Sequence, residues 1–276
     1  MSARETAEAP AVMPLSAGPV KRKAPPKAPH ALDIETGRAA SVEQVARLAA
    51  LRASHAGLEG SELIAAMIHE FKGKLAVVSS FGSESAVLLH MLAQTDPTVP
   101  IIFLNTGKLF GETLRYRDRL QDMLGLTDLR VIGPHPADVK RLDSEGTLWS
   151  RDPDKCCALR KVWPLQRALE PFEAQMTGRK RFQTAARSNI QTLELADGRF
   201  RINPLANFGR EEIEAYRQAH NLPAHPLVAD GYLSIGCMPC TDRVRDGEDY
   251  RSGRWAGTDK EECGIHDPSL VDGEGI

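Results

Sequence analysis

Two periodicities alternate along the middle of the chain. Short apolar runs occur at 75–80 (LAVVSS), 100–106 (PIIFLNT) and 129–134 (LRVIGP), each ending in small or polar residues. Between them, 85–94 (SAVLLHMLAQ) and 111–124 (GETLRYRDRLQDML) repeat apolar residues at helical spacing. The runs read as buried strands and the longer segments as crossover helices. Strand, helix, strand, helix, strand predicts a doubly wound α/β fold built on a parallel sheet. Earlier helices are predicted at 41–51, opened by the cap-like Ser41 with Glu43, and at 61–71. Further strands are expected at 181–186 (RFQTAA) and 200–205 (FRINPL), followed by a helix over 210–220.

The periodicity stops at both ends. Residues 1–38, with KRKAPPKAPH at 21–30, read as a disordered tail, and residues 39–235 as one α/β domain. From 236 to 276 Gly, Pro, Asp and Cys predict a loop-rich C-terminal arm. With 276 residues the chain is long enough for a substantial core. Thirty-five basic against 37 acidic residues exclude a global basic field for gripping nucleic acid. No apolar run reaches the roughly 18 residues that a bilayer span needs, so no membrane partner is expected.

The first strand-to-helix loop, Ser79-Ser80-Phe81-Gly82-Ser83-Glu84-Ser85, offers backbone N–H groups, serine hydroxyls and a helix N-terminus. Such a loop suits a phosphate or sulfate, although a Ser-rich cap has the same composition. It carries neither a Walker A pattern nor G-x-G-x-x-G. Thr106 and Gly107, at the end of the second strand, could line the same crevice.

Five cysteines exclude a fully paired disulfide framework and favour metal or redox chemistry in a reducing cytoplasm. Two ligand sets compete. Cys156-Cys157 with Cys237-x-x-Cys240 supplies four thiolates for a [4Fe–4S] cluster, whose separate iron corners suit adjacent cysteines. Lys161, at i+4 from Cys157, could face that cluster. Alternatively Cys237 and Cys240 join Cys263 and His266 across a 22-residue gap as a zinc site. Cys263 lies beside Glu261 and Glu262, which oppose a thiolate, so activation would have to come from His266, Arg251, Arg254 or a helix N-terminus.

In this order the motifs resemble the assimilatory sulfonucleotide reductases over roughly residues 60–268. ECGIH at 262–266 resembles their C-terminal signature. SFGSES at 80–85 resembles their variant of the SGGxDS loop of ATP pyrophosphatases, with Phe81 in place of the first Gly and Glu84 in place of Asp. FLNTGKLFGET at 103–113 and TGRKRFQTAAR at 177–187 resemble the family's second crevice segment and its basic substrate-binding strand. The resemblance implies the fold of the adenine nucleotide alpha hydrolases. It implies a Cys263 thiolate that attacks the sulfate sulfur, and reduced thioredoxin or a similar dithiol that releases sulfite. Ser79, Ser80, Phe81, Gly82 and Ser83 would hold the phosphosulfate, and Thr106 and Gly107 the adenosine. Arg187, Arg251 and Arg254 match substrate-contacting positions, while Lys161 and His266 join the catalytic group. The two cysteine pairs imply the cluster-bearing branch that prefers adenosine 5′-phosphosulfate; a 3′-phospho-specific or dual-specificity reductase is the alternative. The family implies a homo-oligomer. A sulfur-inserting RNA-modifying relative and a zinc-stapled nucleotide-binding module are the more distant readings.

Overall fold

A computed structural model describes residues 39–245, 247–256, 260 and 262–266. The expected tail at 1–38 lies outside the described residues. Six strands form one sheet in the order β3-β2-β1-β4-β6-β5. They are β1 (Leu75–Val78), β2 (Ile101–Leu104), β3 (Leu129–Ile132), β4 (Ala174–Thr177), β5 (Leu193–Ala196) and β6 (Arg199–Ile202). All neighbouring pairs are parallel except β5 with β6.

Helices cover both faces, which is why β1 is apolar at every position. Leu75 and Val77 join the larger core with Leu63, Ile64 and Met67 of α2 (Gly60–Glu70) and Leu88, Leu89 and Leu92 of α3 (Ser85–Thr95). Ala76 and Val78 face the other way, against Leu165 and Leu169 of the eighth helix (Trp163–Leu169). α1 (Val42–Ser54) begins on a reciprocal cap, with Ser41 Oγ accepting from Gln44 N and Gln44 Oε1 from Ser41 N. α4 (Gly111–Leu124) ends on Gly125, whose φ of 64° is the left-handed stop.

The segment between β3 and β4 holds α5 (Pro136–Leu142), α6 (Leu148–Arg151), α7 (Pro153–Cys157) and α8 (Trp163–Leu169). Residues Ala158–Val162 form a π-turn that joins α7 to α8. α9 (Arg210–Ala219) follows β6. Periodicity does not reveal pieces of four to seven residues, and the sequence reading has no elements there.

One expected strand is wrong. Residues 181–186 fall in two short 3₁₀ turns, Arg181–Gln183 and Ala185–Arg187, and the strand is β4, just before them. Arg181 N donates to Ala206 O, outside any ladder, because the chain has already left the sheet. The β5–β6 hairpin turns on Asp197 and Gly198, at φ 51° and 61°, as a two-residue turn of this kind requires.

The chain builds β1, β2 and β3 outward in one direction and then returns to place β4 on the other side of β1. That reversal opens a crevice beyond the carboxyl ends of β1 and β4. After α9 regular structure thins to turns and two isolated bridges, Leu109 with Cys237 and Thr241 with Arg254.

Candidate active site

The crevice is a cleft of about 220 Å³. The loop after β1, the end of β2, the turns after β4 and the C-terminal arm all contribute to its wall. Ser79, Ser80, Gly82 and Ser83 line it as the sequence predicts. Phe81 does not. Its side chain is fully buried and packs edge-on against Phe103 at 5.3 Å. Its φ is 50°, the left-handed region that a glycine adopts freely. Holding a non-glycine residue there costs about 1–2 kcal/mol, and burying a phenylalanine returns about 1.5–3 kcal/mol. The exchange therefore keeps the glycine turn and adds a core anchor under the loop.

Glu84 ends this loop and faces cations. It accepts from Lys180 Nζ at 2.7 Å and from Gln183 Nε2 at 2.8 Å. Lys180 is almost wholly buried, and desolvation draws its pKa below the ordinary lysine value despite this partner. Ser83 Oγ donates to Leu233 O and lies 3.0 Å from the Tyr250 hydroxyl, so the loop is already tied to the arm.

Thr106 is buried at the end of β2. Its Oγ1 lies 3.3 Å from Cys237 Sγ and also accepts from Lys108 N. Gly107 follows at φ 70°. Thr106 O accepts from Arg160 NH1 at 2.8 Å, and Arg160 is paired with Asp143 at 2.6 Å, both side chains nearly solvent-free. The π-turn carries Arg160 and Lys161 to this junction, directly after the cysteine pair. Trp163 N reaches Ala158 O five residues back, the wider spacing of a π-turn, which is a common device near functional sites.

Cys156, Cys157, Cys237 and Cys240 line one small cavity with Arg160 and Lys161. Burial pushes the Cys156 thiol up to about 11 and the Cys157 thiol to about 12, and raises Cys240 as well. Cations or a metal must offset that cost before these sulfurs can act as thiolates. Burial alone would lower the pKa of Lys161, but the sulfurs of Cys237, Cys263 and Cys157 together raise it. Its ammonium also lies 5.9 Å from the Trp255 ring, which Arg254 and Lys260 approach at 4.4 and 5.6 Å. Among the described residues no three His, Cys, Asp or Glu side chains converge closely enough for a single metal ion. Four soft thiols share this one cavity, with Lys108, Arg160 and Lys161 on its wall.

Cys263 is half-buried and lines the large cleft together with Lys161, Arg187, Arg251, Arg254, Glu262 and His266. The arm thus carries its thiol into the crevice. Arg254 Nε donates to Cys240 O, and its guanidinium lies so close over Gly236 that a Cβ there would meet it at 2.3 Å. Arg187 forks onto Glu262 at 2.7 and 2.8 Å, and Arg251 approaches the same carboxylate at 3.6 Å. The His266 carbonyl accepts from Arg201. Its ring is buried, which lowers its pKa well below the usual value, and Arg179, Arg187, Arg201 and Arg251 oppose its protonation further.

Sequence reasoning gathered the two cysteine pairs, Lys161, the loop, the three arginines and Cys263. It missed the partners of Glu84, the residues Lys180, Arg160 and Tyr250, and the pairing of Glu262 with Arg187. Lys180 and Arg160 sit inside the basic and cysteine motifs, but nothing in their spacing names their carboxylate partners.

The phosphoadenosine phosphosulfate reductase domain matches residues 74–243. An adenosine 5′-phosphosulfate reductase of Mesorhizobium japonicum is 51% identical over 222 residues, covering 80% of this chain and 87% of the relative. A phosphoadenosine 5′-phosphosulfate reductase of Gloeobacter violaceus is 41% identical over 209 residues, covering 74% of this chain and 87% of that protein. The crystal structure of a phosphoadenylyl-sulfate reductase from Candida auris, in complex with phosphate, aligns with a TM-score of 0.61 at 25% identity. It covers 76% of this chain and 100% of its own.

Proposed function

The chain belongs to the phosphoadenosine phosphosulfate reductase domain family, and from that premise we propose that it reduces adenosine 5′-phosphosulfate to sulfite and AMP. The observation that carries the reading is the placement of Cys263 in the same cleft as the loop after β1, Lys161 and three arginines. The Mesorhizobium japonicum reductase, 51% identical, favours the unphosphorylated substrate, as do the four paired cysteines. The Gloeobacter protein keeps the 3′-phospho form as the second reading.

The reaction has two halves. The Cys263 thiolate attacks the sulfate sulfur, the S–O bond to AMP breaks, and AMP leaves with that electron pair. Cys263 is left as an S-sulfonate. A dithiol of the thioredoxin type then attacks Cys263 Sγ, sulfite leaves with the S–S electron pair, and the donor's second thiol resolves the mixed disulfide. The protein is the carrier and the dithiol is oxidised.

An anionic nucleophile approaching an anionic sulfate needs positive charge around both. Lys161, Arg187, Arg251 and Arg254 supply it at the wall of the cleft. Ser79, Ser80, Gly82 and Ser83 offer donors to the phosphosulfate, and Thr106 and Gly107 border the nucleotide end. Cys156, Cys157, Cys237 and Cys240 would hold a [4Fe–4S] cluster, which when bound would supply a polarising charge. His266, kept neutral by burial, orients the arm through its carbonyl. We assign the enzyme to the reducing cytoplasm and to a homo-oligomer. Among the described residues no helix is long and apolar enough to cross a membrane.

The test is sulfite release by anaerobically purified protein with reduced thioredoxin, adenosine 5′-phosphosulfate and its 3′-phospho form being supplied in parallel. Turnover of the first substrate alone is expected. Turnover of the second alone would overturn the substrate assignment and leave the Cys263 chemistry standing. No sulfite from either, with iron present, would overturn the reaction itself.

A further inference from the structure

The carboxylate of Glu262 lies where a substrate anion would be sought. Arg187 gives it both Nε and NH2, Thr184 Oγ1 donates at 3.4 Å, and Arg251 approaches from the other side. Both ends of the Arg187–Glu262 pair are well buried, at 13% and 16% side-chain exposure, so the bridge is shielded from salt more than a surface pair is. Burial works against the charge of Glu262, yet the arginines hold its pKa below the usual carboxylate value. The third donor of Arg187 is also engaged, to Gln183 Oε1 at 2.6 Å. Gln183 in turn donates to Glu84, at the end of the loop after β1. A continuous chain of charge-assisted bonds therefore runs from the residue before Cys263 to the loop that borders the cleft.

We propose that Glu262 is a positioning residue: its carboxylate, clasped by Arg187 and Arg251, docks the C-terminal arm and sets Cys263 in the cleft. Arg187 then serves the enzyme chiefly by holding the nucleophile. The geometry also removes a difficulty in the sequence, where an acidic neighbour opposes a thiolate. The charge of Glu262 is directed into the guanidinium groups of Arg187 and Arg251. On the other side of the thiol the arm is fixed by the His266 carbonyl on Arg201 and by Ile265, which packs against the core under α8. Glu262 supplies the charged half of that grip. It is the half that can be undone without unfolding the domain, as presentation of Cys263 to a dithiol requires.

The kinetic part of the test rests on the proposed reaction, and the chemical part does not. In the chemical part, iodoacetamide labels the purified full-length protein, and the rate at Cys263 is followed by mass spectrometry of its peptide. Glu262→Gln keeps the shape and removes the charge. The rate at Cys263 is expected to rise about tenfold as the arm opens. Because the bridge is buried, the wild-type rate should stay low as salt is added, and the Glu262→Gln rate should be high at every ionic strength. Glu262→Asp, which keeps the charge at shorter reach, should fall between. In the kinetic part kcat should drop by about 100-fold while KM and iron content hold.

Labelling at Cys263 that ignores the substitution would overturn the proposal. So would a lower KM at unchanged kcat, because Glu262 would then be a competitor for the substrate's place. If wild-type protein turns over no sulfonucleotide but labelling responds as described, arm docking stands and the reaction assignment falls.

Discussion

The sheet core and the C-terminal arm are held by different physics. Around β1 the contacts are apolar and close-packed: Val77, Ile64, Leu89, Leu92 and Ile101 have essentially no exposed surface. The arm meets the same domain through ion pairs, single hydrogen bonds and the Trp255 ring against Lys161, with Ile265 as its apolar foothold near Cys263. Apolar packing gives a rigid frame, and loss of one side chain is felt as a cavity. Charged contacts give direction at low net stability, so a segment can hold a defined place and still leave it. The difference separates the part that builds the crevice from the part that carries its nucleophile.

The largest expected effect breaks the chemistry and spares both regions. Cys263→Ser should abolish sulfite release, with iron content and thermal unfolding as in the wild type. Cys263 lines the large cleft but not the cavity of the four paired cysteines. Iron loss in this variant would show that the cysteines do not divide their work as proposed. Lys161→Ala sharpens the same point: slower turnover at full iron content is expected, and an unchanged rate would remove Lys161 from the reaction.

A cavity in the frame should act the other way. Leu89 is fully buried on α3, in the larger core. Leu89→Ala should cost about 2–5 kcal/mol of stability, read as a fall in Tm, with Cys263 labelling below the transition unchanged. A labelling rate that rises with the cavity would mean that arm and frame are one cooperative unit, and the comparison would fail.

How much of this was legible in the sequence follows the same division. β1, β2, α3 and α4 are periodic because burial imposes the period, and the motifs at their ends fell into place with them. β4 escaped because its residues include Gln175 and Thr177, which are buried yet polar; Thr177 Oγ1 is satisfied by Asn203 Oδ1 at 2.9 Å. The hairpin signal Asp197-Gly198 was present in the sequence, but the strand before it, Leu193–Ala196, carries one full apolar burial and no clear alternation. The cysteine pairs were legible by spacing alone. The partner of Glu262 was not, because Arg187 lies 75 residues away and nothing local distinguishes one acidic residue of Glu261-Glu262 from the other.

The root of the arm offers a smaller and sharper test, because it is polar like the arm and buried like the frame. His225 is 1% exposed; its Nε2 lies 3.0 Å from Thr113 Oγ1 on α4, and its ring packs against Tyr116 at 4.9 Å. Tyr116 OH donates to Pro223 O, so two contacts pin residues 223–225 to one helix. Burial lowers the His225 pKa from 6.5 to about 4. The unfolded chain then takes up a proton below pH 6.5 that the folded protein refuses until about pH 4. Stability conferred by the neutral ring is complete above that window and is lost progressively as pH falls through it, by up to about 3 kcal/mol. Unfolding measured from pH 7 to 4 should show this slope, and His225→Gln should flatten it. Because the root belongs to the frame, Cys263 labelling in folded protein, taken relative to a free thiol at the same pH, should stay level across the upper half of the window. Labelling that rises in step with protonation of His225 would place the hinge of the arm at its root, and the charged clasp at Glu262 would no longer be what sets the position of the thiol.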